Sequence, residues 1–105
     1  MKFAVIGSGG VGAYFGGRLA QAGHDVTFLA RGAHLAAIRE RGLRVFSTMG
    51  DFEIPSARAT DETSAIGLVD VVLLAVKTWQ VGEVAGLLQP LVGKKSAVLT
   101  LQNGV

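Results

Sequence analysis

The sequence contains no cysteine. A disulfide framework is therefore excluded, and the composition fits a reducing compartment. No apolar run approaches the ~20 residues that a membrane-spanning helix needs. The apolar start is short and meets glycines, so no secretory signal peptide is visible. A soluble, cytoplasmic protein with no membrane partner is expected. Charge of one sign is also lacking: ten Lys and Arg stand against eight Asp and Glu, for a net +2. That excess is too small and too scattered to argue for a nucleic-acid partner. Arg39, Arg41 and Arg44 form a small basic cluster, read as a solvated helix end. There are only two histidines. His24 falls in a turn, and His34 has no carboxylate or cysteine at ligand spacing, so no metal site is expected. No Ser/His/Asp arrangement is recognisable. Only two prolines occur, Pro55 and Pro90, and both fall where an element is expected to end.

Glycine and apolar residues are abundant. Hydrophobic residues make up 50% of the chain and charged residues 17%, which suits a packed core and argues against disorder. There are 15 glycines in 105 residues, about twice the usual share. The most informative of them lie at the start. Phe3-Ala4-Val5-Ile6 is an apolar strand that runs into Gly7-Ser8-Gly9-Gly10-Val11-Gly12 and then into a helical pattern. This is Gly-x-Gly-x-x-Gly in the strand–turn–helix context that a dinucleotide-binding turn requires. Gly7 permits the tight turn, Gly9 lets backbone approach a pyrophosphate, and Gly12 lets the helix pack on the strand. The free N–H groups at the helix start attract phosphate charge. The alternative is a glycine-rich turn that only packs a helix.

The remaining pattern alternates strands with helices. Strands are expected over 2–7, 25–30, 57–60, 70–76 and 97–101, and helices over 10–22, 33–41 and 79–88. Val11, Phe15 and Leu19 form a four-residue repeat on one face of the first helix, while Gly12 and Gly16 share a face that lets it lie close to the sheet. Gly23 and Gly42 are expected helix stops, the former in left-handed conformation. Leu35 and Ile38 point inward from the second helix. Residues 43–47 and 51–54 alternate apolar and polar side chains about Ser47-Thr48-Met49-Gly50, which predicts a hairpin. Thr60 or Asp61 is the expected cap of a short helix ending near 66. The unbroken apolar run Val71–Val76 predicts a strand buried on both faces. Together these make one α/β domain with a Rossmann-like, doubly wound parallel sheet in the order 3-2-1-4-5. Neither an internal repeat nor a linker is evident.

Ligands bind such sheets beyond the carboxyl ends of the strands, where the strand order reverses. Four segments are expected there: the glycine turn, Arg31, Lys77 and Asn103. NAD-binding domains place an acid at the end of the second strand to bind the ribose 2′-OH. Here the segment reads Leu29-Ala30-Arg31-Gly32, without an acid. A guanidinium there can hold a 2′-phosphate, which favours NADP(H); the alternative is a surface arginine. Lys77 faces cofactor or substrate, or else is a lysine at the start of a helix pointing to water. Asn103 can donate and accept hydrogen bonds, though Asn-Gly is also an ordinary turn. Trp79 is read as covering the sheet or an interface.

The chain resembles the N-terminal domain of the ketopantoate reductase (2-dehydropantoate 2-reductase) family along its whole length. The resemblance rests on Gly7–Gly12, Ala30-Arg31-Gly32, Leu43–Pro55, Val76-Lys77-Thr78-Trp79-Gln80-Val81 and Leu101-Gln102-Asn103-Gly104-Val105. It implies NADPH-dependent reduction of 2-dehydropantoate to (R)-pantoate, with the glycine turn on the pyrophosphate and Arg31 on the 2′-phosphate. Lys77 and Asn103 match family residues near the nicotinamide ribose and substrate. Family enzymes continue into a helical C-terminal domain that carries the general-acid lysine and a substrate-binding glutamate. Neither can be assigned here, so the 105 residues alone are expected to be inactive, a fragment of a two-domain enzyme. Another NADP-dependent 2-keto-acid or hydroxyacid reductase and a stand-alone NADP-binding sensor are the alternatives. A homo-oligomer is left open.

Overall fold

The structure is a computed structural model that describes residues 1–7, 10–48, 50–75 and 86–101. Its centre is β1 (Lys2–Ile6), an apolar strand with three residues at or below 2% exposure. Parallel partners lie on both sides: β2 (Asp25–Leu29) and β6 (Val71–Leu74). β5 (Arg58–Thr60) adds to β2, and β7 (Ala97–Thr100) adds to β6. The resulting order is β5-β2-β1-β6-β7, which is the expected 3-2-1-4-5 when the hairpin strands are set aside. The hairpin itself forms as a separate two-stranded sheet, β3 (Leu43–Val45) against β4 (Phe52–Ile54). Its reversal is tied by Ser47 and Gly50: the Ser47 N–H donates to Asp51 Oδ1 at 2.8 Å and the Gly50 N–H to the Ser47 carbonyl at 3.1 Å.

Side chains alternate across the strands and divide the core in two. Phe3, Val5, Val26, Phe28, Val71 and Leu73 face one layer, with Leu35, Ile38, Leu43 and Val45 packed on them. Ala4, Ile6, Val72 and Leu74 face the other, against Ile66, Val69 and Leu91. Every residue of β6 is buried, as its unbroken apolar run predicts. Each large side chain removed from water in this way contributes about 1.5–3 kcal/mol.

The first layer holds α1 (Gly10–Gln21) and α2 (Gly32–Arg41). Leu35 and Ile38 point inward as expected. The chain leaves the two helices at Gly23 and Gly42, both with positive φ (95° and 81°). The expected cap of α3 (Thr63–Ile66) is corrected: Glu62 occupies the N-cap without a side-chain bond, and the Thr60 hydroxyl instead accepts from the Glu62 N–H at 3.2 Å. The Val11/Phe15/Leu19 stripe is corrected in part. Leu19 packs against the core, but Phe15 is 48% exposed, while Gly12, Ala13, Gly16 and Gly17 are the buried positions. The reason is distance. A Cβ on Gly16 would stand 2.7 Å from Phe28 Cε1 and 2.8 Å from Val5 Cγ2, so at this point α1 lies too close to the sheet for a large residue to face it.

The hairpin covers another side of α1. A Cβ on Gly17 would stand 2.6 Å from the Phe52 ring. Arg18 lies 4.0 Å over that ring, and the Tyr14 ring meets it edge-on at 6.0 Å. Of the helix expected over 79–88, residues 86–88 are helical; the rest, with Trp79, lies outside the described residues.

Gly16→Ala is expected to destabilise the protein by about 1–3 kcal/mol through overpacking, despite the ~1 kcal/mol that alanine gains in helix propensity. Gly17→Ala should cost less, because Phe52 sits on a two-stranded hairpin that can shift. Urea midpoints measure both; a stabilised Gly16→Ala would contradict the packing of α1.

Candidate functional site

The register of the sheet aligns the strand ends. Thr60, Leu29, Ile6, Leu74 and Thr100 form one row of cross-strand partners. Just past that row, the Ala30 N–H donates to the Thr60 carbonyl at 3.0 Å, the Ala75 N–H to Ile6 at 2.8 Å and the Leu101 N–H to Leu74 at 2.9 Å. Pairing thus continues one residue beyond the strands, and these ends share a common rim. The glycine turn and Ala30-Arg31 leave the sheet there, and Ala75 and Leu101 are the last described residues of their segments at it. β1, with β2 on one side and β6 on the other, marks the reversal of strand order at this rim.

Gly7 turns the chain off β1 with φ 81°, a conformation that side-chain-bearing residues rarely adopt. Gly10 and Val11 open α1, and Gly12 completes its first turn. A Cβ on Gly12 would run into the Gly7 carbonyl oxygen and would also stand 2.8 Å from the Ala75 methyl and 3.3 Å from Val5 Cγ1. The absence of that atom lets the start of α1 settle directly on the turn. No acidic residue lies in the first turn of α1, so its unpaired N–H groups and positive helix end are not neutralised from within.

Arg31 occupies the N-cap of α2 with extended backbone (φ −145°, ψ 164°) and makes no side-chain cap bond. It is exposed, and no hydrogen bond or ion pair holds its guanidinium among the described residues. The first turn of α2 carries no acid either. Two helix starts and a free guanidinium therefore lie at one rim, an arrangement that attracts an extended anion bearing more than one phosphate. The residues present fit a dinucleotide in this respect. Gly7, Gly10, Val11, Gly12 and Arg31 are brought to this rim; Ser8, Gly9, Lys77 and Asn103 lie outside the described residues. Sequence patterning does not single out Ala75. Its only signal is a small residue closing an apolar strand.

A separate groove of about 250 Å³ lies on the face opposite α1, between Lys2, Asp25, Thr27, Arg58, Thr60 and Ile66. It is lined by an Arg58–Asp25 ion pair at 3.0 Å and does not include the glycine turn or Arg31. No group of three or more potential ligands for a metal ion occurs among the described residues, and no described helix is long and apolar enough to cross a membrane.

The fold and this rim define a Rossmann-like α/β domain. Comparison with known proteins narrows the class. Residues 3–105 match the family described as ketopantoate reductase PanE/ApbA. A 2-dehydropantoate 2-reductase of Nostoc is 38% identical over 104 residues, covering 99% of this chain and 32% of the relative. The crystal structure of 2-dehydropantoate 2-reductase from Geobacter metallireducens superposes with a TM-score of 0.90 at 39% identity, covering 100% of this chain and 35% of that one. A ternary structure of D-mandelate dehydrogenase with NADH and anilino(oxo)acetate superposes with a TM-score of 0.82 at 30% identity, covering 100% of this chain and 34% of that one. The chain belongs to the ketopantoate reductase family, and it spans about a third of the length of these relatives.

Because Arg31 is exposed and unpaired among the described residues, Arg31→Glu is expected to change stability by no more than about 0.5 kcal/mol. Thermal melts of the two proteins check this. A large loss would mean that the side chain holds the fold rather than waiting for a ligand.

Proposed function

We propose that this chain is the NADPH-binding part of a 2-dehydropantoate 2-reductase, which reduces 2-dehydropantoate to (R)-pantoate in the cytoplasm. The observation that carries the cofactor choice is Arg31: an exposed guanidinium just beyond β2, with no acid beside it in the first turn of α2. A carboxylate at this place would repel a 2′-phosphate, whereas a guanidinium offers it paired, charge-assisted hydrogen bonds. Relatives named 2-dehydropantoate 2-reductase support the choice of substrate.

In this reading the residues divide the work by position. Gly7, Ser8, Gly9, Gly10, Val11 and Gly12 hold the pyrophosphate through backbone N–H groups, and Arg31 holds the 2′-phosphate. Lys77 and Asn103 lie on the nicotinamide and substrate side, where an ammonium and an amide orient the ribose and the keto acid. Bound NADPH supplies the hydride. The ketone oxygen gains negative charge as it is reduced and needs a proton donor. That donor belongs to a helical domain beyond these 105 residues, so this piece alone binds cofactor without turning over substrate.

The D-mandelate dehydrogenase neighbour, solved with NADH, supports a second reading: a reductase of similar build acting on another 2-keto acid. A stand-alone NADP-binding module is the remaining alternative; turnover of 2-dehydropantoate by the full-length protein would argue against it.

Calorimetric titration with NADPH and NADH tests the cofactor choice. NADPH is expected to bind more tightly, and Arg31→Glu should weaken it roughly 10- to 100-fold, as loss of a charged hydrogen-bonded contact does. An unchanged preference would remove Arg31 from the site. In the full-length enzyme, Lys77→Ala should lower kcat/KM about tenfold or more. Wild-type rate and affinity in that variant would return Lys77 to the protein surface.

A further inference from the structure

Three groups meet beneath the first turn of α1. A side chain on Gly12 would project into the Gly7 carbonyl oxygen and the Ala75 methyl, the latter at 2.8 Å, with Val5 Cγ1 at 3.3 Å behind them. Val5 is fully buried in the centre of the core, and Gly7 is committed to its turn. Ala75 differs from both. It follows β6, it is only half-buried, and its N–H is fixed to the Ile6 carbonyl at 2.8 Å. Its backbone is therefore anchored to β1 at the same residue from which the glycine turn departs. Its methyl group is the part of Ala75 nearest to where a Gly12 side chain would stand.

We propose that Ala75 is a positioning residue for dinucleotide binding: its methyl sets how closely the first turn of α1 sits on the glycine turn. This inference rests on the cofactor reading above. A side chain larger than methyl at 75 adds atoms beside the place that Gly12 leaves empty, and the backbone that would have to retreat is anchored to Ile6. Where those atoms face α1 they lift its start, and the N–H groups at that helix start move with it. Anion binding by backbone N–H groups depends steeply on their placement. The smallness of residue 75 thus serves the site, while its burial contributes little to the core.

The test is a graded series in the full-length protein: Ala75→Ser, Ala75→Cys and Ala75→Val, each titrated with NADPH and melted. Leu91→Val is the control. Leu91 is fully buried on the opposite face of the sheet, so this variant loses stability without touching the turn. The Kd for NADPH should stay within about twofold of wild type for Ala75→Ser, a near-isosteric change. It should rise about tenfold or more for Ala75→Val, with Ala75→Cys between them. Leu91→Val should melt earlier and keep wild-type affinity. If Ala75→Val does not fold, the step from Ser to Cys carries the test. A folded Ala75→Val or Ala75→Cys that binds like wild type overturns the proposal. If wild type binds neither NADPH nor NADH, the cofactor reading falls, and this inference with it; a flat series on a binding wild type defeats this inference alone.

Discussion

The close seating of α1 is the constraint on which the rest of the structure depends. One helix meets the sheet, the hairpin and the glycine turn, and a glycine stands at each of the three contacts. Gly16 admits Val5 and Phe28, Gly17 admits Phe52, and Gly12 admits the Gly7 carbonyl and the Ala75 methyl. Close packing makes each of these contacts sensitive to a single added carbon. Glycine inside a helix costs about 1 kcal/mol relative to alanine, and α1 carries several. The burial of Phe28 and Val5 beneath it offsets that cost. Lifting α1 at any of the three points would disturb the other two, so the shape of the turn at one end is tied to the packing of the middle.

Most of this organisation was legible in the sequence because it depends on periodicity. The alternation of apolar strands with helices gave away the parallel sheet, and the run from Val71 to Leu74 reads as a buried strand because both of its faces are covered. The hairpin was legible from its two-residue alternation. The inward face of α1 was not. A bulky repeat such as Val11/Phe15/Leu19 ordinarily marks the buried stripe, but here the helix axis lies so close to the sheet that small residues face inward and Phe15 faces out. Periodicity reports which residues share a face, and it does not report the distance to the neighbouring layer. The cap of α3 was missed for a related reason. Thr60, Asp61 and Glu62 are all polar residues near a helix start, and choosing among them depends on where the backbone leaves β5.

The candidate site was legible to a different degree in each part. The glycine turn carries a local signature, since its spacing and its strand–helix flanks lie within a dozen residues. Singling out Arg31 needed the additional idea that the residue after the second strand stands at the rim where such sheets take their ligands. Ala75 carries no signature at all: alanine at the end of a strand is unremarkable until Gly12 is placed opposite it. Contacts between segments far apart in the chain are set by the fold, and a single sequence holds no direct record of them.

The two rims of the sheet carry different duties. At the amino rim, the Lys2 backbone N–H donates to Asp70 Oδ2 at 2.7 Å, the Lys2 ammonium donates to the Ile66 carbonyl at 2.9 Å, and Arg58 pairs with Asp25. The Arg58–Asp25 pair is exposed, so it contributes at most about 1 kcal/mol, and the two apolar layers hold the fold. What the distribution decides is which charges remain available. Lys2, Asp70, Arg58 and Asp25 at the amino rim already have partners within the chain. At the carboxyl rim Arg31 has none among the described residues, and both helix starts lack an acid. An anion arriving there displaces water rather than an internal partner, so its attraction to the site is not reduced by breaking an existing ion pair. That difference is what recommends the carboxyl rim around Arg31 as the candidate binding surface.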